Sequence, residues 1–380
     1  MIQEYWLNPF LYRDVYVWTV VILSVVLIFK YLSATDRAIF YGSSLSVRYT
    51  KFLTIALILF LGTRPISGFA FGDMGTYFRG FIMETANPSP FGIDLSKEFG
   101  WSFLEDLVHY SLPTLNIRNQ FLVFSFIVAL GYFGLMAISC IRLDRKHSYM
   151  LFMFLLMQFT CYAYCVNGMR NGLGLSINML ALTFLKPGIK NIIFAALLSI
   201  FAYSIHHSCA LPALCMFIAY FIVKGPKAAL GIWLFSILLS LTVGPQLENF
   251  LMSFGFDDRL ESYIQAQNDT AVMQHYFSKT GFRWDFLAYS IVPIIVGWIS
   301  LTNDKFRDKK YILLYNTYVL ANALWIIVIR AAYSNRFAQL SWFLYGLVLA
   351  YPLLNIKAFN NQGAVISIVI LVQLGFLILF

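Results

Sequence analysis

Apolar runs, each interrupted by a short cluster of charged or turn-forming residues, follow one another along the whole chain. They occupy 15–29, 52–62, 121–141, 149–166, 172–185, 191–205, 209–223, 228–243, 286–301, 311–329, 337–354 and 364–380. None alternates polar with apolar positions as a barrel strand would, so each is expected to be an α-helix. Hydrocarbon thickness asks for about 20 apolar residues per span, and the pattern predicts about twelve spans. Two stretches of mixed polarity, 63–119 and 244–285, are expected to be long loops on one side of the membrane. Within the first, Phe103, Leu104, Leu107 and Val108 fall on one side of a helix and Glu105, Asp106 and His109 largely on the other. That is the pattern of a helix at an interface or lining a cavity. The expected fold is all-α, a single polytopic membrane domain over 1–380.

Composition agrees with this pattern. Of 380 residues, 60% are hydrophobic and 12% charged, against about 25% charged in a soluble domain. A net charge of +9 would suggest nucleic acid in a soluble protein, but here it has a simpler origin. If connections alternate sides, one set collects Lys30, Arg37, Arg48, Lys51, Arg142, Arg145, Lys146, Lys186, Lys190, Lys224, Lys227, Lys305, Arg307, Lys309, Lys310 and Lys357. Only Asp36, Asp144, Asp304 and Asp308 oppose them. Cytoplasmic loops carry such an excess, so this set is expected inside, with both termini outside and no role for nucleic acid. The first apolar run lacks the small-residue site of a cleavable signal peptide. The cysteines Cys140, Cys161, Cys165, Cys209 and Cys215 lie in apolar runs, where they act as small hydrophobes.

The residues able to do chemistry fall on the other side. Arg64, Asp73, Tyr77, Arg170, His206, His207, Arg330, Tyr333 and Arg336 lie at or near outer helix ends. Ionisable groups at membrane depth are costly and are functional candidates by default. Arg170 sits among small residues, in Asn167-Gly168-Met169-Arg170-Asn171-Gly172-Leu173-Gly174, which permit close backbone approach. Several guanidiniums together suit a phosphate or diphosphate, whose oxygens the planar fork binds bidentately. In glycosyl transfer from a diphosphate lipid, such arginines would stabilise the charge that develops on the leaving oxygen. His206 or His207 would then serve as general base toward an acceptor hydroxyl, with Asp73 as the other candidate. Each has a structural alternative: backbone hydrogen bonding at a helix end for the histidines, a helix N-cap for Asp73. Adjacent histidines cannot share a helix face, and no pair has ligand spacing, so no metal or other cofactor is expected. Trp101, Tyr110, Tyr263, Tyr276 and Trp284 are positioned either to anchor the interface or to stack on sugars.

These motifs, in this order, resemble the EpsG-like branch of the Wzy-type polysaccharide polymerases. Gly72-Asp73-Met74-Gly75-Thr76-Tyr77 is similar to the family's early Gly-Asp-x-x-x-Tyr. Glu98-Phe99-Gly100-Trp101-Ser102-Phe103-Leu104 resembles its acidic, Gly-aromatic segment, with Phe99 in place of the usual Pro. Arg170–Ser176 looks like its Arg before a small-residue helix, and Arg336, Phe337 and Phe343 like its late Arg. His206-His207-Ser208-Cys209-Ala210-Leu211 resembles its His-x-Ser-Ala-Leu, with Cys209 inserted, and favours His206 over His207.

The resemblance implies a GT-C-like helical fold in a bacterial inner membrane. It also implies transfer between polyprenyl (undecaprenyl) diphosphate-linked oligosaccharides on the outer face, without nucleotide sugar or metal. Donor and acceptor oligosaccharide lipids, the bilayer and a chain-length regulator protein are the partners it suggests. His206, Asp73, Arg170 and Arg336 are the catalytic candidates. Arg64, Tyr77, Glu98, His207, Ser208, Arg259, Tyr263, Arg330 and Tyr333 are the substrate-binding candidates. A ligase passing glycan to a different acceptor is a rival within the superfamily. A glycan or lipid transporter is a rival of another class, for which polar residues at mid-membrane and inverted repeats would be expected.

Overall fold

A computed structural model describes residues 6–86, 98–253, 281–302, 308–330 and 334–379. All the apolar runs read from the sequence are helical, and there is no strand among the described residues. The chain forms two compact units, 1–210 with 353–380, and 211–352.

The first unit contains α1 (Leu11–Leu32), α2 (Asp36–Tyr41), α3 (Ser46–Gly62), α4 (Gly68–Phe71), α5 (Met74–Ala86), α6 (Phe99–Ser111), α7 (Ile117–Leu143), α8 (Ser148–Leu156), α9 (Phe159–Val166), α10 (Met169–Leu182) and α11 (Ile189–Ile205). A 3-10 turn, His207–Cys209, follows, and the C-terminal helix Gln362–Leu379 returns to pack on α1. Packing centres on α7, which touches α3, α6, α8 and α10. Its start is fixed by Asn116, whose side chain accepts the Asn119 N–H, an N-cap interaction.

The stretch 63–119 carries the helix expected within it, α6, and two further helices, α4 and α5, with residues 87–97 outside the described residues. The buried face of α6 mixes Trp101 and Val108 with Glu105 and Asp106, while Phe103, Leu107 and Tyr110 are exposed. Acids turned inward beside exposed hydrophobes mark a helix that lines a polar interior.

The run 149–166 is not one straight helix. It breaks at Met157 and Gln158, and α8 and α9 meet at a bend of 78°. The break leaves carbonyls without helical partners, which apolar surroundings penalise. A tyrosine from a neighbouring helix supplies a donor: Tyr16 Oη donates to the Leu156 carbonyl at 2.8 Å, while Tyr132 Oη ties α7 to α9 through the Cys161 carbonyl at 3.1 Å.

The second unit begins within α12 (Ala210–Phe221) and continues through α13 (Pro226–Ser253), α14 (Trp284–Leu301), α15 (Lys309–Ile327), α16 (Ser334–Trp342) and α17 (Tyr345–Asn355). Helix α13 extends past the expected end at 243, with a non-helical residue at Val243. Its centre is α15, packed on α13, α14 and α16. The core here is aromatic, and several of its polar tips are satisfied. Tyr311 Oη donates to the Val348 carbonyl at 2.8 Å, Tyr318 Oη to the Ser290 carbonyl at 2.9 Å, and Trp342 Nε1 to Ser290 Oγ at 2.7 Å.

Six helical segments are long and apolar enough to cross a bilayer: Leu11–Leu32, Ile117–Leu143, Pro226–Gly244, Trp284–Leu301, Arg336–Asn355 and Gln362–Leu379. The bent pair α8–α9 would make a seventh. The remaining predicted spans are helices too short or too polar to count: α3 has 17 residues, α10 14, α11 17 and α12 12, while α15 carries Asn, Thr and Tyr along its length. Outward-facing Trp18, Ile22, Val26, Leu197, Leu238 and Leu371 give both units apolar exteriors, which a lipid environment accommodates.

Candidate functional site

The end of α11 sets the geometry. The helix stops at Ile205 because His206 adopts an extended backbone, φ −156° and ψ 119°, before the 3-10 turn. Asn178 Nδ2 holds this turn from α10 by donating to the Cys209 carbonyl at 2.8 Å. The approach is close: a Cβ at Gly174 would lie 2.5 Å from Cys209 Sγ and 3.2 Å from the Ala202 carbonyl. Gly100, in the first turn of α6, lies against Ser204 with no room for a side chain. Two glycines therefore bring the starts of α6 and α10 onto the end of α11.

Glu98, at the N-terminal edge of α6, joins these elements. Its Oε1 pairs with His206 Nδ1 and its Oε2 accepts from Arg170 Nη1. The Arg170 guanidinium also lies 5.1 Å from the centre of the Tyr77 ring and 5.3 Å from that of Trp101, within cation–π range of both. Tyr77 is carried here by α5, whose approach is fixed by a turn at Gly72, φ +55°. Asn167, between α9 and α10, accepts the Asp73 N–H at 2.7 Å, and a Cβ on Gly72 would collide with it.

The cluster is partly open, with side-chain exposures of 27% for Arg170, 13% for Glu98 and 16% for His206, so a ligand can reach its edges. Burial works to raise the Glu98 carboxyl, but the His206 and Arg170 partners outweigh it and hold Glu98 down to about 2. Glu98 is therefore a fixed anion. Two turns on, Glu105 accepts from Trp101 Nε1 at 2.8 Å. Burial, helped by neighbouring Glu84 and Asp106, pushes Glu105 up to about 7 against the opposing charge of Arg170. Burial also raises the Tyr77 phenol to about 12, keeping it neutral.

An ionised carboxylate can only accept, so the proton shared with His206 belongs on Nδ1, leaving Nε2 as the basic nitrogen. Arg170 keeps donors beyond the one used by Glu98, and its buried Nε has no partner among the described residues. The arrangement can bind an anion at the guanidinium and accept a proton at the imidazole beside it.

The other candidates separate from this group. Asp73 stands on the same turn as Gly72, near enough for its charge to act on Tyr77. His207 stacks on Tyr203, ring centres 4.7 Å apart. Ser208 lies in the 3-10 turn, its buried Oγ without a partner among the described residues. Arg64 is fully buried; Nη1 donates to the Leu61 carbonyl at 2.6 Å and Nη2 to the Cys165 carbonyl at 3.1 Å. Its charge is spent on the C-terminal turns of α3 and α9, where helix dipoles leave unpaired carbonyls. That geometry departs from a substrate-binding role. In the second unit, Arg330 donates to Ser240 Oγ at 3.0 Å and covers the Phe282 ring at 5.2 Å, while Arg336 is exposed at the start of α16. Arg259, Tyr263 and Tyr333, with Tyr276, lie outside the described residues.

The sequence did not single out Glu105 or Asn167. Trp101 and Glu105 at i, i+4 were a readable signal for the first. For the second, Asn before Gly at a helix junction was a weaker one.

An all-helical membrane protein with one ionised carboxylate tying an arginine to a histidine is the class that fold and site define. The chain matches the EpsG family over residues 49–380 and belongs to that family, which points to a polysaccharide-polymerase type of role. No curated protein and no solved structure matches it.

Proposed function

We propose that this protein joins polyprenyl-diphosphate-linked oligosaccharide repeat units, transferring the growing glycan from its lipid diphosphate to the terminal sugar of an incoming unit. The observation that carries this reading is Glu98 bridging Arg170 and His206, in a chain of the EpsG family. Arg170 would bind the donor diphosphate, balancing charge as the bond between anomeric carbon and phosphate oxygen breaks. The acceptor hydroxyl oxygen would form the new bond to that carbon while its proton passes to His206 Nε2. The leaving polyprenyl diphosphate keeps the bonding electrons. Tyr77, half-buried beside the guanidinium, offers a face for a sugar ring, with the buried Trp101 packed behind it.

Lys30, Arg48, Lys51 and Lys146 stand at the Lys30 end of α1, opposite the Arg64 end to which this cluster belongs. Charge bias therefore supports transfer on the extracytoplasmic face of a bacterial inner membrane. A twelve-span, GT-C-like arrangement remains part of the proposal, with the shorter helices completing the bundle. Arg336 is proposed as a further contact for a diphosphate oxygen.

The test uses purified protein and one defined lipid-linked repeat unit. A polymerase makes a ladder from that unit alone, whereas a ligase needs a different acceptor. The ladder is expected to vanish in Arg170→Ala with protein yield unchanged. A ladder of wild-type intensity from that variant would refute the diphosphate role.

A further inference from the structure

Helices α1 and α3 run between the Arg64 end of the first unit and a second feature at their other end. Tyr12, in the first turn of α1, packs on Phe71 near Arg64, while Lys30 closes the same helix, roughly 30 Å away at 1.5 Å per residue. At this far end lies a cavity of about 290 Å³, lined by Lys30, Lys146, Tyr49 and, on its apolar side, Leu27, Ile39 and Met150.

The walls are stitched together. Ser43 N–H donates to the Lys146 carbonyl at 3.1 Å, Tyr149 N–H donates to Ser46 Oγ at 2.9 Å, and His147 Nε2 bonds the Ile39 carbonyl at 2.9 Å. Gly42, at φ +69°, makes the turn against Lys146 where no side chain would fit.

The charge at this cavity is one-sided. Asp144 is occupied by His147 at 2.7 Å and by Asn355 at 2.9 Å, and Asp36 is paired with Lys357 at 2.6 Å. Among the described residues no carboxylate pairs with Lys30 or Lys146. Each ammonium instead lies over a tyrosine ring, Tyr31 at 5.8 Å and Tyr41 at 5.4 Å. Two uncompensated ammoniums over an apolar-sided cavity at a membrane-helix end select an anion that carries hydrocarbon.

We propose that this cavity binds the phosphate of an anionic phospholipid, with Lys30 and Lys146 on the phosphate oxygens and the acyl chain along Leu27, Ile39 and Met150. The site is separate from the Glu98 cluster and stands whether or not the proposed reaction is correct.

Full-length protein in phosphatidylcholine nanodiscs, with and without phosphatidylglycerol, tests it by native mass spectrometry and thermal unfolding. Wild type is expected to retain phosphatidylglycerol and unfold at higher temperature with it. The Lys30→Gln/Lys146→Gln double variant should bind it roughly 30-fold more weakly, at about 1 kcal/mol per lysine. Lys186→Gln/Lys190→Gln, which removes two exposed lysines outside the cavity, should behave as wild type. Equal retention by the cavity variant, or equal loss in the control variant, overturns the proposal. Inorganic phosphate stabilising wild type, but not the cavity variant, in pure phosphatidylcholine as strongly as phosphatidylglycerol does would assign the cavity to soluble phosphate and overturn the lipid.

Discussion

Glu98 does not need to touch substrate to govern the chemistry proposed here. Its carboxylate accepts from His206 Nδ1 and so fixes which imidazole nitrogen carries the proton. Glu98→Gln offers an amide that can donate as well as accept, so it no longer fixes that tautomer. kcat is expected to fall with KM within a few-fold of wild type, and Glu98→Asp to recover part of the loss; full kcat in Glu98→Gln would remove Glu98 as the positioning residue. Glu105 gives a separate, stability-based prediction. Its carboxyl is raised from 4.5 to about 7 in the folded chain, so the fold binds this proton more tightly than the unfolded chain does. The stability it contributes is complete below about 4.5 and lost as pH rises through about 7. The unfolding temperature should fall across that window, and fall less in Glu105→Gln. At this scale the sequence was informative about Arg170, from its small neighbours, and about His206, from the motif it resembles. It was silent on their connection, because Glu98 and His206 are separated by 108 positions and only folding brings them together.

Helix approach depends on glycines, and the cost of filling them is specific. Gly174 faces Cys209 and the Ala202 carbonyl, whereas Gly134 in α7 has nothing within 4 Å of its would-be Cβ. Gly174→Val should therefore lower thermal stability by about 1–3 kcal/mol, the usual cost of overpacking, and disturb the turn that carries His206. Gly134→Val should leave both nearly unchanged; equal unfolding temperatures for the two would contradict this packing. Apolar runs made the helices legible, since length and lack of alternation suffice. The break between α8 and α9 was hidden, because it falls at Met157 and Gln158 within one apolar run and the donor at the broken end, Tyr16, comes from another helix. The polar face of α6 was legible as that of a helix at an interface or lining a cavity; that Glu105 and Asp106 are the buried residues and Phe103, Leu107 and Tyr110 the exposed ones depends on the helices packed around it.

At the largest scale, charge and chemistry stand at opposite ends of the first unit. Lys30, Lys146 and their basic neighbours stand at one end of α1 and α3, and Arg170, Glu98 and His206 belong to the other. Vesicles of known orientation, supplied with lipid-linked repeat on one side only, should make polymer only when the face opposite the basic connections receives it. The number of spans was only partly legible at this scale. Six helical segments, seven with the bent pair, have the length and apolarity of a span, whereas α10 and α12, at 14 and 12 residues, are shorter than a bilayer is thick at 1.5 Å per residue and would belong to the membrane bundle only beside longer neighbours.

The most direct measurement compares turnover of a defined lipid-linked repeat unit by purified wild type, His206→Ala and His207→Ala. His206→Ala is expected to lose about 10²- to 10⁴-fold in kcat, the usual contribution of a general base, while His207→Ala stays within a few-fold of wild type. Undiminished turnover by His206→Ala would contradict the account.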